Sequence, residues 1–415
     1  MIKVGITGQS GFMGTHLFNF LSLTKDEITL IPFHDDYFQD KQKLESFVTS
    51  CDTIVHLAAM NRHGDPQVIY DTNIRLVNQL IDACETTSSK PHILFSSSTQ
   101  EERDNLYGKS KRDGRELLEA WAKRSGGSFT GLIIPNVFGP FGNPFYNSVI
   151  ATFCHQLTHN EEPKIDIDGE MKLIYVGELV KVLYNKIKVK GRVGEWASGR
   201  IGDVENKFED KGQKSTDNRS CEFAEGKSQS IETIKVDYTS KKKVSDILQL
   251  LKGYKDNYFE KGIFPNLNDP FELNLFNTFV CYIDHQAFFP FHLKLNSDDR
   301  GIFVETVKLN SGGQVSFSTT KPGITRGNHY HTRKAERFAV IKGKARIELR
   351  RISTDNVLSF NLDGDKPSFV DMPIWYTHNI TNIGTDDLYT IFWINEPFNA
   401  EDPDTFFESV LAFSH

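Results

Sequence analysis

Along residues 1–190, short apolar runs alternate with longer stretches whose apolar positions recur at helical spacing. The short runs fall at 2–6, 28–33, 53–57, 93–97 and 130–134, and the clearest early helical pattern covers 14–23. Short runs of this kind predict strands, and strands separated by helices predict βαβ units and a parallel, doubly wound α/β sheet. Residues 203–230 break the rhythm, with Val204, Phe208 and Phe223 the large apolar side chains amid Lys, Glu, Asp, Ser and Gly. That composition predicts a mobile polar insertion. After it, 235–236 reads as a strand and 243–251 as a helix that finishes the first domain. From 293 onward the chain becomes a series of short strands separated by Gly, Asp, Asn and Pro, as in VSFSTT, RFAVIKGKARIELRRI and LYTIFWI, which predicts an all-β barrel or sandwich. The expected domains are 1–283, carrying the 203–230 insertion, and 284–415.

Composition narrows the class of activity. A chain of 415 residues has room for two or three domains, and its net charge of −7 contains no Lys/Arg run longer than Lys241-Lys242-Lys243. No nucleic-acid partner is expected from such a charge pattern. No apolar run reaches the length of a membrane span, and the strand-like MIKVGITG is no charged leader, so a cytoplasmic protein is expected. Cys51, Cys84, Cys154, Cys221 and Cys281 are odd in number, far apart and form no CxxC, which argues against a disulfide framework or a cysteine-built zinc site.

The first candidate site begins where the opening strand runs into Thr7-Gly8-Gln9-Ser10-Gly11-Phe12-Met13-Gly14, a GxxGxxG turn before a helix. Glycines at such a turn let the backbone approach a pyrophosphate at the positive end of a helix. Leu57, Ala58 and Ala59 close the strand of HLAA with small residues, leaving room for a cofactor at the sheet's carboxyl edge. Ser96-Ser97-Ser98 ends a later strand, and Tyr107-Gly108-Lys109-Ser110-Lys111 opens a helix. A tyrosine and a lysine four apart share a helix face, so the ammonium lowers the phenol's pKa while a serine hydroxyl holds a carbonyl oxygen that the tyrosine protonates.

These motifs resemble the nucleotide-sugar branch of the extended short-chain dehydrogenase/reductase family, with a Rossmann-type sheet. Asn136-Val137-Phe138-Gly139-Pro140 and Leu173-Ile174-Tyr175-Val176-Gly177-Glu178 resemble two of its further segments. The resemblance implies Ser98, Tyr107 and Lys111 as the catalytic set. It implies Gly8, Gly11, Phe12, Met13, Gly14, His34, Leu57, Ala58, Ala59, Asn73, Tyr107, Lys111 and Pro135 around the cofactor, with Asn136, Asn147 and Ser148 on the substrate side. Departures are the eight residues between Ser98 and Tyr107, a short loop for this branch, Ile133 where an arginine often stands, and Val176-Gly177-Glu178 in place of VDD. Asp35 and Asp36 at the end of the second strand favour the free ribose hydroxyl of NAD(H).

The second candidate site is Gly323-x5-His329-x-His331-x4-Glu336-x6-Gly343, followed by His378. Two histidines at i and i+2 on a strand share a face, and a Glu and a third His on neighbouring strands complete a His3Glu shell for a divalent metal, zinc foremost. The spacing resembles the two motifs of the cupin family, with Trp375 where its second motif has glycine. Asp298-Asp299-Arg300-Gly301-Ile302-Phe303-Val304-Glu305 and Arg326-Gly327-Asn328-His329-Tyr330 resemble segments of the metal-free deoxysugar 3,5-epimerases, which implies Arg300 and Arg326 as substrate contacts and His329 as a general base. With a metal bound, the base is another group, and Tyr330, Tyr376, Lys334 and Glu305 stand as unranked candidates.

A reductase followed by a cupin is similar to the bifunctional capsule and O-antigen enzymes of nucleotide-sugar metabolism. The resemblance implies that the cupin epimerises C3 of a UDP-4-keto-6-deoxy-N-acetylhexosamine. The reductase then uses NADPH, with NADH the alternative, to reduce C4 and give UDP-2-acetamido-2,6-dideoxy-β-L-talose. A UDP-activated deoxy amino sugar is the expected substrate and a homo-oligomer, first a dimer, the expected assembly. Two other readings stand beside this one: a 4-epimerase or 4,6-dehydratase with tightly bound NAD, and a dinucleotide sensor with a sugar-binding cupin.

Overall fold

The computed structural model describes residues 1–196 and 230–411, so the polar stretch expected at 203–230 lies, apart from Ser230, outside the described residues. Contacts divide the chain into two compact units, Met1–Pro135 with Gly177–Asp237, and Asn136–Val176 with Tyr238–His415.

The first unit is built on a six-stranded parallel sheet. Strands β1 (Ile2–Thr7), β2 (Ile28–Ile31), β3 (Thr53–His56), β4 (His92–Ser98) and β5 (Ser128–Ile134) lie in the order β2-β1-β3-β4-β5, and the strand Ile231–Lys235 adds beside β5. The expected α/β Rossmann-type sheet is therefore present. Central-strand residues Val4, Ile54, Ile93, Leu94 and Leu132 are fully buried, as befits a sheet covered by helices on both faces. Those helices include α1 (Phe12–Leu21), α2 (Lys41–Ser50), α3 (Pro66–Thr86) and α4 (Leu106–Ser125). Their ends follow from side chains: Asp40, Asp65 and Asn105 accept amide hydrogen bonds at the starts of α2, α3 and α4, and Gly126 ends α4 in the left-handed conformation at φ 73. Because β2 and β3 flank β1 on opposite sides, the order reverses at β1, which puts the crevice for a ligand at the carboxyl ends of β1 and β3. The last strand begins earlier than the sequence suggests, at Ile231, because its alternation emerges directly from the polar stretch.

In the second unit, the short strands Asn136–Phe138, Glu170–Tyr175 and Ser240–Lys243 form one sheet, and the helices Val149–Thr158, Val244–Tyr254 and Pro270–Val280 pack together. The rest is an antiparallel β-domain of two five-stranded sheets. One has the order Phe291–His292, Ser368–Met372, Glu336–Lys342, Leu388–Ile394, Gln314–Thr320, and the other Val357–Asp363, Lys344–Arg351, Tyr376–Asn382, Thr325–Tyr330, Phe406–Phe407. Ala339, Phe369 and Val370 from the first meet Ile347, Leu349, Phe360 and Ile380 from the second in one core. A buried ion pair ties this domain to the helical part of the same unit. The Arg337 guanidinium donates to Asp371 at 2.7 and 2.8 Å and to the Gly262 carbonyl at 2.7 Å, lies 3.4 Å from the centre of the Phe369 ring, and Tyr258 donates to Asp371 at 2.8 Å.

Among the described residues no helix is long and apolar enough to cross a membrane. Cys51, Cys84, Cys154 and Cys281 are free thiols.

Candidate functional site

Gly8, Gly11 and Gly14 lie at the turn from β1 into α1, where the geometry demands glycine at Gly8 and Gly14. Gly8 has φ 69, and a Cβ there would meet the backbone of Ala58 at 2.8 Å; a Cβ on Gly14 would meet the Gly8 carbonyl at 2.1 Å. Helix α1 has Gly11 at its N-cap, no side-chain cap and no acidic residue in its first turn, which contains Phe12 and Met13. No acidic side chain of its own first turn occupies its positive end, and such an end attracts a phosphate. Leu57 and Ala58 lie directly beside it, the Leu57 amide donating to the Thr7 carbonyl at 3.2 Å and the Ala58 amide to the Thr7 hydroxyl at 3.3 Å. His34 precedes the short 3-10 turn Asp35–Gln39, and the Asp35 carboxylate accepts a hydrogen bond from Ser10 in the glycine turn at 3.1 Å. This cradle fits a dinucleotide.

Tyr107 and Lys111 occupy adjacent turns at the start of α4, and the Lys111 ammonium is 5.9 Å from the centre of the Tyr107 ring. Lys111 is buried and donates to the Ser96 carbonyl at 2.9 Å. Burial pushes its pKa down to about 8, while the Glu101 carboxylate pulls it upward. Gly108 permits the start of α4 to lie against β4's exit, since a Cβ there would meet the Gln100 carbonyl at 2.0 Å. Ser98 ends β4, and its hydroxyl accepts the Gln100 amide at 3.2 Å. Asn73 is buried in α3, bonded to both backbone groups of Met60 at 2.7 and 3.0 Å and to Ser110 at 2.9 Å, and Ser110 donates to the Tyr107 carbonyl at 2.7 Å. Sequence reasoning missed the group behind this set: Glu101 is buried, accepts from Ser97, and takes a forked ion pair from Arg115 at 2.9–3.2 Å. Its only signal was an acid three residues beyond Ser98.

The four predicted metal ligands converge in the β-domain. The ligand atoms of His329, His331, Glu336 and His378 all lie within 4.8 Å of one another. His331 Nε2 and His378 Nε2 stand 3.3 and 3.4 Å from Glu336 Oε2, and these three buried atoms have no hydrogen-bond partner. Buried polar atoms without partners are costly, and a cation at their centre satisfies all of them, so this donor set fits a divalent metal. Glu336 is pushed upward by burial, yet the imidazoles of His331 and His378 hold its carboxyl well below the usual range. Burial, with help from His378 and His331, pushes His329 down to about 4, leaving a neutral imidazole at physiological pH.

A relative from Pseudomonas aeruginosa strain PA103, named UDP-2-acetamido-2,6-beta-L-arabino-hexul-4-ose reductase, is 31% identical over 410 residues, 99% of each chain. The chain belongs to the same family as this reductase. Residues 4–192 match the NAD dependent epimerase/dehydratase family and 296–406 the polysaccharide biosynthesis C-terminal domain. The crystal structure of the capsular polysaccharide assembling protein CapF from Staphylococcus aureus is 34% identical, with a TM-score of 0.58, covering 99% of this chain and 100% of that one. A CapF structure with the inhibitor 3-isopropenyl-tropolone aligns at 31% identity and a TM-score of 0.54, with the same coverage. The family accounts for the dinucleotide cradle, which is that of an NAD(P)-dependent enzyme.

The remaining predicted residues are spread over the CapF-like chain. Ala59 follows β3 and Pro135 follows β5 in the first unit. In the second unit, Asn136 is exposed and donates to the Lys172 carbonyl at 3.3 Å, Asn147 is exposed, and Ser148 caps the helix Val149–Thr158. Arg326 is exposed on the strand that bears His329. Arg300 sits at the tip of a hairpin, its side chain 90% exposed and paired with Asp298 at 2.6 Å. Of the base candidates, Lys334 donates to the Pro403 carbonyl at 2.7 Å, Glu305 pairs with Lys308 at 2.7 Å, and burial pushes the phenols of Tyr330 and Tyr376 upward.

Proposed function

We propose that the chain is a two-site nucleotide-sugar enzyme of capsular polysaccharide synthesis. Its β-domain epimerises C3 of a UDP-4-keto-6-deoxy-N-acetylhexosamine, and its dinucleotide domain reduces the C4 ketone, with NADPH as the donor, to UDP-2-acetamido-2,6-dideoxy-β-L-talose. The observation that carries this reading is the match, along 99% of both chains, with a relative named as a hexul-4-ose reductase. Two chemically distinct sites on one chain support it further.

In the β-domain, His329, His331, Glu336 and His378 would hold the metal, which when bound supplies Lewis acidity for a ketone oxygen. A proton on the carbon beside that ketone is then acidic enough to exchange. In the dinucleotide domain, the Gly8 to Gly14 turn and the start of α1 would hold the pyrophosphate of a reduced dinucleotide, which when bound would supply hydride. Tyr107 gives its phenolic proton to the C4 oxygen, Ser98 holds that oxygen, and Lys111 favours the phenolate left behind. The Asp35 carboxylate beside Ser10 suits a free ribose hydroxyl, so the NADH alternative is compared directly in the assay.

The test is product analysis by NMR from the UDP-4-keto sugar in deuterated water, with and without NADPH or NADH. Tyr107→Phe is expected to keep exchanging deuterium into C3 while losing C4 reduction. Loss of both activities in a folded variant refutes the division of labour.

A further inference from the structure

The metal-site histidines are held by a stretch of chain that carries no ligand. His331 Nδ1 lies 2.5 Å from the carbonyl oxygen of Asp404. A carbonyl only accepts, so Nδ1 is the protonated nitrogen and Nε2 keeps the lone pair that a metal needs. Asp404 is itself buried, at 3% exposure, with a left-handed φ of 42. Its carboxylate gathers the loop that follows His331: the Thr332 amide at 3.1 and 3.2 Å, the Thr332 hydroxyl at 2.6 Å, the Arg333 amide at 3.0 Å and the Lys334 amide at 3.2 Å. Lys334 adds a bond to the neighbouring Pro403 carbonyl at 2.7 Å. Two residues further on, Phe406 and Phe407 pair with Tyr330 and His329, and the Glu408 carbonyl accepts the hydroxyl of Thr377, next to His378.

We propose that Asp404 is a positioning residue of the metal site: its carbonyl selects the tautomer and aim of His331, and its carboxylate fastens that carbonyl to the loop 332–334. The inference rests on the metal reading given above. Nothing in the spacing of the sequence pairs position 404 with position 331, so the link emerges only in the fold.

The experiment measures Co2+ binding to the metal-stripped full chain by titration, together with the visible absorption of the bound ion. Orienting partners of metal-bound histidines contribute about 10–100-fold to metal affinity. Asp404→Ala is expected to weaken Co2+ binding by that range and to shift the visible band, because His331 loses its fixed aim. Asp404→Asn, which tolerates the left-handed backbone and keeps an acceptor, is expected to lose less. Should Asp404→Ala fail to fold, Thr332→Val removes only the hydroxyl donor and is expected to weaken Co2+ binding severalfold. A folded Asp404→Ala with wild-type affinity and spectrum overturns the proposal, even if its thermal stability drops. With an unfolded Asp404→Ala, a folded Thr332→Val with wild-type affinity and spectrum does the same. Failure of the wild-type chain to bind Co2+ or Zn2+ overturns the metal reading itself and the proposal with it, an outcome distinct from either.

Discussion

Replacing Lys111 with methionine separates the charge of this side chain from its bulk. The ammonium lies 5.9 Å from the centre of the Tyr107 ring. At an effective dielectric constant of about 20, two unit charges at that separation interact by about 3 kcal/mol, so the ammonium favours the phenolate. Removing it leaves Tyr107 a weaker acid, and kcat for ketone reduction is expected to fall about 10- to 100-fold, within the range for a general acid. The pH profile gives the sharper readout. Because burial lowers the pKa of Lys111 to about 8, the ammonium is present below that pH and lost above it, so wild-type kcat/KM for reduction falls as pH rises through about 8. Lys111→Met should lack that limb. Stability moves differently: a lowered folded pKa means that the buried charge opposes folding fully below about pH 8, and that this cost fades as pH climbs toward 10.5. At about 1.4 kcal/mol per decade the opposition is about 3 kcal/mol at neutral pH. The lost charged hydrogen bond to Ser96 offsets about 1.5–3 kcal/mol of what methionine regains. Reduction should therefore collapse while the urea midpoint stays nearly where it was. Retention of the alkaline limb in a folded Lys111→Met assigns it to another group and refutes the reasoning.

Two further perturbations probe the cradle and the second unit. Gly14→Ala drives a Cβ to 2.1 Å from the Gly8 carbonyl, so the turn must open, and dinucleotide affinity measured by calorimetry should drop at least tenfold; wild-type affinity in the folded variant would show that the turn does not hold the pyrophosphate. Asp371→Ala strands the Arg337 guanidinium, which is 1% exposed, and should cost about 3–5 kcal/mol in urea unfolding, whereas a loss below about 1 kcal/mol would mean that water reaches the pair.

Legibility in the sequence followed the range of the interaction that fixes each feature. The parallel sheet was readable because burial on both faces writes itself as continuous apolar runs, and β1, β3, β4 and β5 each lie within a residue or two of those runs. GxxGxxG and the Tyr107–Lys111 pair were readable because their geometry is local, one turn and one helix face. The cluster of His329, His331, Glu336 and His378 was readable despite the 41 residues between Glu336 and His378, since period-two alternation on a strand and the ligand residue types together leave few arrangements. What stayed hidden is held by non-local hydrogen bonds between residue types that are common everywhere: Glu101 with Arg115, Asn73 with Met60 and Ser110, Arg337 with Asp371, and Asp404 with His331. An Asp or Arg at such a position carries no spacing signal, because its partner is chosen by the fold and not by distance along the chain. Arg300 shows the opposite case, a residue singled out by its motif that the fold leaves on an exposed hairpin paired with its own neighbour, Asp298.

Under the proposed function the two sites would treat one ketone in incompatible ways, which would explain why they are separate. Exchange at C3 requires the C4 oxygen to accept negative charge and return it, a task for a Lewis acid among histidines, of which His329 is held neutral with a pKa near 4. Reduction requires that same oxygen to be protonated once and for good, the task of a phenol beside a buried ammonium. A site doing both would trap the enolate as an enol or quench the exchange by reducing the ketone first. Order follows from the same chemistry: the C3 proton is acidic only while C4 is a carbonyl, so hydride transfer freezes whatever configuration C3 has at that moment. On this reading the dinucleotide site sets the stereochemical outcome through its choice of C3 epimer. Slowing the β-domain with His378→Ala should then lower the rate of talose formation without altering the C3 configuration of the product. Appearance of a C3-epimeric product at high enzyme concentration would show instead that the reductase accepts either epimer, and that the β-domain alone decides the outcome.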